Sequence, residues 1–280
     1  MDEGNDTRLA GKVAIVTGAG SRGDGIGNGR AISILLARSG ANVLLVDAVE
    51  EWANVTARMI AEEGGTCAVA VGDVTKPEEC ASIVAQAVSS WGRLDVLVNN
   101  VGIDGPKGTA IDVDMEEWDS ALRVNLTSMM LMSKHAIPAM LARQQGGAIT
   151  NIASTSGLVG GHPALLYPAS KGAVVNMTRA MAAHHGPAGI RVNCVAPGTV
   201  YTPMVAHHGM SDATRETRKN RSLLKTEGTG WDVGNAVRFL SSDEARWITG
   251  IVLPVDGGAM SGLSVISPAP AGGFRRAESE

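Results

Sequence analysis

The chain has 280 residues, but only three are cysteine, two are tyrosine and two are phenylalanine. Cys67, Cys80 and Cys194 are scattered, and no CxxC or HxxxH spacing occurs. This pattern argues against a disulfide framework and a metal site, and it predicts a reducing compartment. No apolar run approaches the roughly 20 residues that a membrane-spanning helix needs. No basic excess is present: the net charge is −4, which gives nucleic-acid binding little support. The polar, acidic opening "MDEGNDTRLAG" is unlike a signal peptide, and the closing "ESE" is no peroxisomal address. A soluble, cytoplasmic protein is the expectation. No internal repeat or second domain is visible, and this length suits one large α/β domain.

What is present is alternation. Short apolar, β-branched runs at 12–18, 41–47, 67–73, 94–100, 147–154, 190–198 and 250–258 suit parallel strands covered on both faces. Helical patterns lie between them at 30–38, 50–63, 77–91, 115–143 and 169–185. Gly40, Gly64–Gly65, Gly92 and Gly186 signal helix ends, and Thr75 with Pro77 signals a start. The expected fold is a single-domain Rossmann-type α/β structure with a doubly wound parallel sheet. It should span 1–261. A polar, poorly periodic stretch at 201–229 could cover a ligand, and 262–280 reads as a mobile tail.

The stretch "TGAGSRGDGIGNGR" (17–30) holds six glycines between a strand and a helix, the setting in which a backbone turn cradles a diphosphate at a helix N-terminus. Three registers compete. Gly18, Gly20 and Gly23 spell GxGxxG, while Gly25-Ile26-Gly27 and Gly27-Asn28-Gly29 each offer a later GxG. Asp47 closes the second strand 18 residues after Gly29, near the roughly 20 expected of a ribose-binding acid. Its carboxylate suits the two ribose hydroxyls of NAD and repels the 2′-phosphate of NADP. Arg22 is the counter-indication, for it could reach that phosphate or pair with Asp24 in solvent.

Ser154 and Tyr167-Pro168-Ala169-Ser170-Lys171 form a second constellation. Tyr167 and Lys171, four apart, stand on one helix face. A lysine ammonium beside a phenol is expected to bring its pKa down toward the working range. Ser154, thirteen residues earlier, can polarise a substrate oxygen, and that spacing favours it over Ser156.

With TGxxxGxG-like glycines, Asn99-Asn100-Val101-Gly102, Ser154, Tyr167 and Lys171, the chain resembles the short-chain dehydrogenase/reductase family over about residues 9–260. The resemblance implies that Gly18, Gly27 and Gly29 are the motif glycines, with Arg22 to Ile26 as five inserted residues and Asn28 where an apolar residue is usual. Ser21, Asp73, Val74 and Asn100 would then join Asp47 in the cofactor site. Val200 and Thr202, after Pro197-Gly198, would meet the nicotinamide carboxamide. Tyr167 would be the proton donor or acceptor, Lys171 would also bind the nicotinamide ribose, and Asn125 would hold a helix kink and a water leading from Lys171 to solvent. Val255-Asp256-Gly257-Gly258 matches the family's last-strand ending.

The resemblance implies hydride transfer between NAD, less readily NADP, and a secondary alcohol or ketone. It also implies a homo-oligomer, tetramer or dimer, packed through 115–143 and 169–185. Two alternatives stay open: non-redox chemistry on the same scaffold (epimerase, dehydratase or cyclase), or a non-catalytic dinucleotide sensor. His162 could edge the pocket or cap a turn. Arg215, Arg218, Lys219 and Arg221 could attract an acidic group or face water. Met129, Met132, Ile137, Met140 and Leu141 read as core or subunit interface.

Overall fold

The computed structural model describes residues 7–23, 25–206 and 209–262. Asp24, His207, His208 and the expected tail beyond Gly262 lie outside the described residues. One parallel sheet contains β1 (Val13–Thr17), β2 (Asn42–Asp47), β3 (Thr66–Val71), β4 (Val96–Asn99), β5 (Gly147–Ile152), β6 (Ile190–Pro197) and β7 (Val252–Val255), in the order β3-β2-β1-β4-β5-β6-β7. The helices are α1 (Asn28–Arg38), α2 (Glu50–Glu62), α3 (Pro77–Trp91), α4 (Met115–Leu122), α5 (Ser128–Leu141), α6 (Leu166–His185), α7 (Pro203–Ala206), α8 (Asp212–Asn220) and α9 (Gly230–Ser241). The doubly wound parallel architecture is as the alternation implies.

Strand side chains alternate between two cores, as a period of two requires. Val13, Ile15, Leu44 and Val46 face Ile83 and Val84 of α3 and Leu131, Met132 and Ile137 of α5. Ala14, Val16, Val43 and Leu45 face Ile32 and Leu36 of α1 and Val233, Val237 and Leu240 of α9. Each such aliphatic side chain contributes about 1.5–3 kcal/mol by burial. Met129, Met132, Ile137 and Met140 are core, whereas Leu141 is exposed.

Four sequence expectations change. The helical stretch 115–143 is two helices joined by a π turn, Arg123–Thr127, centred on Asn125. Gly186 ends α6 as expected, but at φ −56° rather than in a left-handed turn; it opens a 3₁₀ turn, and Gly189, with φ +79°, ends that segment. The polar stretch contains α8, whose start is capped by Ser211 accepting from the Thr214 amide. Helix α9 is an addition to the helical patterns read from the sequence. Its Gly230 and Gly234 depress helix propensity, but they permit close packing on α1. A Cβ at 230 would stand 2.9 Å from the Gly27 carbonyl oxygen, and one at 234 would stand 2.7 Å from Leu35 Cδ1. The signal that could have found this helix is Thr229-x-x-Asp232. These residues form a capping box.

β1 and β4 are neighbours with their crossovers running to opposite sides, so a crevice opens beyond their carboxyl ends. Gly18, Asp47, Asn100, Ser154 and Gly198 all stand at or just past strand ends on this side.

Candidate active site

The glycine loop is tightly packed. Gly18 has φ +62°, and a Cβ on Gly29 would overlap the Gly18 carbonyl oxygen. Gly27 caps α1, with its carbonyl accepting from the Ala31 amide at 3.0 Å. A Cβ on Gly27 would meet Ser21 Oγ at 2.9 Å. Gly23, a member of the earliest register, has open space around it. The packing therefore leaves no room for a side chain at Gly27 or Gly29, and it sets Gly23 apart as unconstrained by neighbours. Gly20 has a role that spacing did not reveal. Its amide donates to Asp47 Oδ2 at 2.9 Å, and a Cβ there would collide with Trp52.

The described residues on either side of position 24 are tied to α1. Arg30, fully buried in the first turn of α1, donates to the carbonyls of Ser21 (3.1 Å), Gly23 (3.0 Å) and Gly25 (2.6 Å) and through Nε to Thr56 Oγ1 (3.1 Å). Gly25 lies against Pro203 of α7 so closely that a Cβ would stand 2.5 Å from the proline ring. The exposed Arg22 guanidinium lies 5.8 Å from the centre of the Trp52 ring. A cavity of about 500 Å³ between the glycine loop, α7 and the start of α9 is lined by Arg22, Ile26, Tyr201, Thr202, Pro203 and Trp231. A cavity of about 570 Å³ lies at the opposite end of the sheet, beside Lys12, Gly147 and Arg191, away from every candidate residue.

Cofactor fit can be tested on these residues. The first turn of α1 has no side-chain cap and no acidic residue, and Asn28 Oδ1 is buried without a hydrogen-bond partner. Helix-start amides with nothing acidic beside them fit a diphosphate. Asp47 is nearly buried at the end of β2, and its Oδ1 accepts from the Val49 amide at 3.0 Å. Each carboxylate oxygen has a second lone pair for a ribose hydroxyl.

Other expected cofactor residues are placed differently. The Asn100 side-chain amide donates to the Thr17 and Gly18 carbonyls at 3.1 and 3.0 Å, so it braces the loop. The Val74 side chain is in the core, leaving only its backbone for a ligand. Asp73 Oδ1 accepts from the Thr75 hydroxyl at 2.7 Å, a contact that chiefly holds its carboxyl below the usual range. Val200 and Thr202 are buried side by side after β6.

Ser154, Tyr167, Lys171 and Asn125 converge. Ser154 follows β5, and its Oγ accepts from the Ser156 amide at 3.1 Å. Its hydroxyl is near enough to the Tyr167 phenol to favour the ionised form of that group. Lys171 is buried, donates to the Ile152 carbonyl at 3.0 Å and lies 5.8 Å from the Tyr167 ring centre. Burial pushes its amine down to about 8. Burial also pushes the Tyr167 phenol up, and the nearby Ser154 hydroxyl only partly opposes this. This corrects the expectation that Lys171 lowers it. The amine is directed to a backbone carbonyl, and desolvation dominates. Tyr167 in the free protein is thus a protonated donor at neutral pH.

Asn125 Oδ1 accepts from the Ile103 amide and its Nδ2 donates to the Ile103 carbonyl, both at 2.8 Å. Nδ2 also reaches Ser170 Oγ at 3.2 Å, which donates to the Tyr167 carbonyl at 2.9 Å. Ser170, which the motif spacing does not single out, links the π turn to α6. A Cβ at Gly102 would stand 3.0 Å from Lys171 Nζ and 3.5 Å from Asn125 Oδ1, so glycine keeps that gap open. His162 caps a turn and lies beside Tyr167. Nδ1 lies 3.0 Å from the Ala164 carbonyl, and its ring lies 5.1 Å from that of Tyr167.

Arg215 and Arg218 meet a carboxylate of the chain itself, and Arg215 also keeps 39% of its side chain exposed. Both pair with Glu227. Among the described residues no group of three His, Cys, Asp or Glu could hold a metal, and no helix is long and apolar enough to cross a membrane.

Comparison with known proteins agrees with this geometry. A protein-family model described as enoyl-(acyl carrier protein) reductase matches residues 21–260. The chain is similar to cis-4-hydroxycyclohexanecarboxylate dehydrogenase of Sinomonas cyclohexanicum, 39% identical over 89% of this chain and 97% of that one. It is similar to 2-(S)-hydroxypropyl-CoM dehydrogenase 3 of Xanthobacter autotrophicus, at 38% identity over 90% and 97%. A crystal structure from Burkholderia xenovorans, described as a short-chain dehydrogenase/reductase, superposes with a TM-score of 0.86 at 40% identity over 92% of this chain and all of that one. By fold, motif order and likeness, the chain belongs to the short-chain dehydrogenase/reductase family.

Proposed function

We propose that the protein is a nicotinamide-dependent oxidoreductase that interconverts a secondary alcohol and a ketone, with NAD preferred to NADP. The observation that carries this reading is the convergence of Ser154 and the buried Lys171 on Tyr167, with the lysine nitrogen 5.8 Å from the phenol ring centre. It presents one proton donor and one polarising hydroxyl to a single substrate oxygen. Relatives named for hydroxylated substrates support it. The non-redox and sensor alternatives have no comparable support, since Ser154, Tyr167 and Lys171 are all present and convergent.

A bound nicotinamide supplies the hydride acceptor or donor. The chain supplies the rest. Gly18, Ser21, Gly27, Asn28 and Gly29 cradle the diphosphate, Asp47 takes the adenosine ribose, Asp73 and the Val74 backbone flank the adenine, and Asn100 braces the loop. Val200 and Thr202 receive the carboxamide, and Lys171 the nicotinamide ribose. Tyr167 gives its proton to the carbonyl oxygen in reduction and takes it back in oxidation. Ser154 holds that oxygen. Asn125 keeps the π turn open beside Lys171 for a proton path to solvent. The catalytic domain spans 1–261, with 201–229 as lid. The buried or half-buried free thiols suit the cytoplasm. Exposed Met130 and Leu141 on α5 support a homo-oligomer, tetramer or dimer.

The test is a titration of NAD against NADP, followed by a panel of secondary alcohols and ketones monitored at the reduced-nicotinamide band. Tyr167→Phe is expected to lose turnover while still binding NAD. Wild-type-like turnover in that variant would sink the mechanism, and tighter binding of NADP would overturn the Asp47 assignment in favour of Arg22.

A further inference from the structure

Helix α8 has no buried residue. An element without apolar burial must be held by polar contacts, and here they converge on one carboxylate. The Glu227 side chain is 4% exposed, although it lies in a polar segment. One oxygen accepts from Arg218 Nε and the other from Arg215 Nε at 3.0 Å. The two arginines are three apart and share a face of α8. Arg218 Nη2 then donates to the Val200 carbonyl at 3.0 Å, and its own carbonyl accepts from Thr199 Oγ1 at 3.4 Å. Arg215 lies over the Tyr201 ring at 4.1 Å. Beneath them the Tyr201 amide donates to the Gly228 carbonyl at 2.8 Å, and the Gly228 amide donates to the Thr199 carbonyl at 3.1 Å. Lid helix, Glu227 and segment 199–201 are therefore one hydrogen-bonded unit.

We propose that Glu227 is a positioning residue that acts through Arg218 on Val200, so that seating of helix α8 and seating of the cofactor's nicotinamide end are one coupled event. This rests on the reading of Val200 and Thr202 as the carboxamide-facing pair. Glu227 fixes the rotamer of Arg218, and the rigid guanidinium fork passes that orientation to the Val200 carbonyl. Without the carboxylate, Arg218 turns to solvent, the 200–201 peptide loses its orientation, and α8 loses its anchor. Two sites that bias one element are thermodynamically linked, so the cofactor stabilises the seated lid and the seated lid strengthens cofactor binding.

The test uses the full-length protein without substrate. NAD and NADP affinities are measured by calorimetry for wild type, Glu227→Gln, Arg218→Gln and the double variant, and proteolysis within 203–225 is followed with and without dinucleotide. Glu227→Gln and Arg218→Gln are each expected to weaken the preferred dinucleotide about tenfold. The double variant is expected to bind no more weakly than Arg218→Gln alone. Dinucleotide should protect the wild-type lid from cleavage and leave both single variants cleavable. Arg218→Gln keeps the Glu227–Arg215 pair and serves if Glu227→Gln fails to fold. Unchanged affinity in Glu227→Gln, or additive losses in the double variant, overturns the proposal alone. Wild type that binds neither dinucleotide overturns the reading of Val200 and the proposal with it.

Discussion

The carbonyl oxygen of Gly18 occupies the space that a side chain on Gly29 would need. This contact sets the start of α1 directly on the end of β1, and it decides which glycines matter. Gly29→Ala must push the helix start away from the strand, an overpacking strain of about 1–3 kcal/mol. Dinucleotide affinity is expected to fall about tenfold to a hundredfold, since each 1.4 kcal/mol is a factor of ten. Gly23→Ala, at φ +65° with nothing near its Cβ, should cost about 1 kcal/mol of stability and leave affinity within about twofold. Equal losses of affinity in calorimetric titrations of the two variants would contradict this assignment.

Arg30 holds the insertion from inside. Replacing it with methionine removes the donor to the Ser21, Gly23 and Gly25 carbonyls and to Thr56. The expected loss is about 3 kcal/mol of unfolding free energy, the scale of a broken buried charged network. Hydrogen exchange should rise at 21–25 while the sheet stays protected. Unchanged exchange there would show that the loop is held by something else.

Asp47 accepts from the loop and, in the function proposed, from the ribose as well. In Asp47→Ala the Gly20 and Val49 amides lose their acceptor, which should cost about 1–3 kcal/mol of stability. NAD affinity is expected to fall at least about tenfold, and NADP affinity to fall less or to rise as the repulsion disappears. Parallel loss of both affinities in a titration would mean that Asp47 acts on the loop alone.

Lys171 is a stability cost with a pH signature. Its amine titrates at about 8 when folded, against an ordinary 10.5. Between those values the unfolded chain holds more protons, so stability rises with pH across that window. Below pH 8 the full cost of burying the ammonium is present, and above 10.5 it is gone. A tenfold change in proton affinity corresponds to about 1.4 kcal/mol. The Ile152 carbonyl, left without its donor, offsets about 1–2 kcal/mol of the gain. Lys171→Met should therefore be more stable than wild type by about 1–2 kcal/mol in urea at pH 7, no more stable near pH 10.5, and inactive. A gain of equal size at both pH values would contradict the burial argument.

Features carried by neighbours in the chain are legible in the sequence. Seven strands lie within two or three residues of their expected ends, because alternation and β-branching act over a few positions. Tyr167 and Lys171 share a helix face because a period of 3.6 dictates it. Other features depend on distant partners. Helix α9 contains two glycines that look unfavourable until α1 is seen against them. The π turn at Asn125 follows from bonds to Ile103 and Ser170, 22 and 45 residues away. Glu227 and Arg30 carry no sign of burial in their local sequence, and their burial depends on loops that only the folded chain brings together.

The sequence by itself determined the alternating architecture, the order of the motifs and the placement of Tyr167 and Lys171 on one helix face, since each depends on residue type and local spacing. Only the tertiary structure decided which glycines of the crowded loop touch, that the insertion is pinned by Arg30 and set against Pro203, and that burial raises Tyr167 and lowers Lys171. Contact and desolvation depend on what surrounds a group in space, and neighbours along the chain do not specify that.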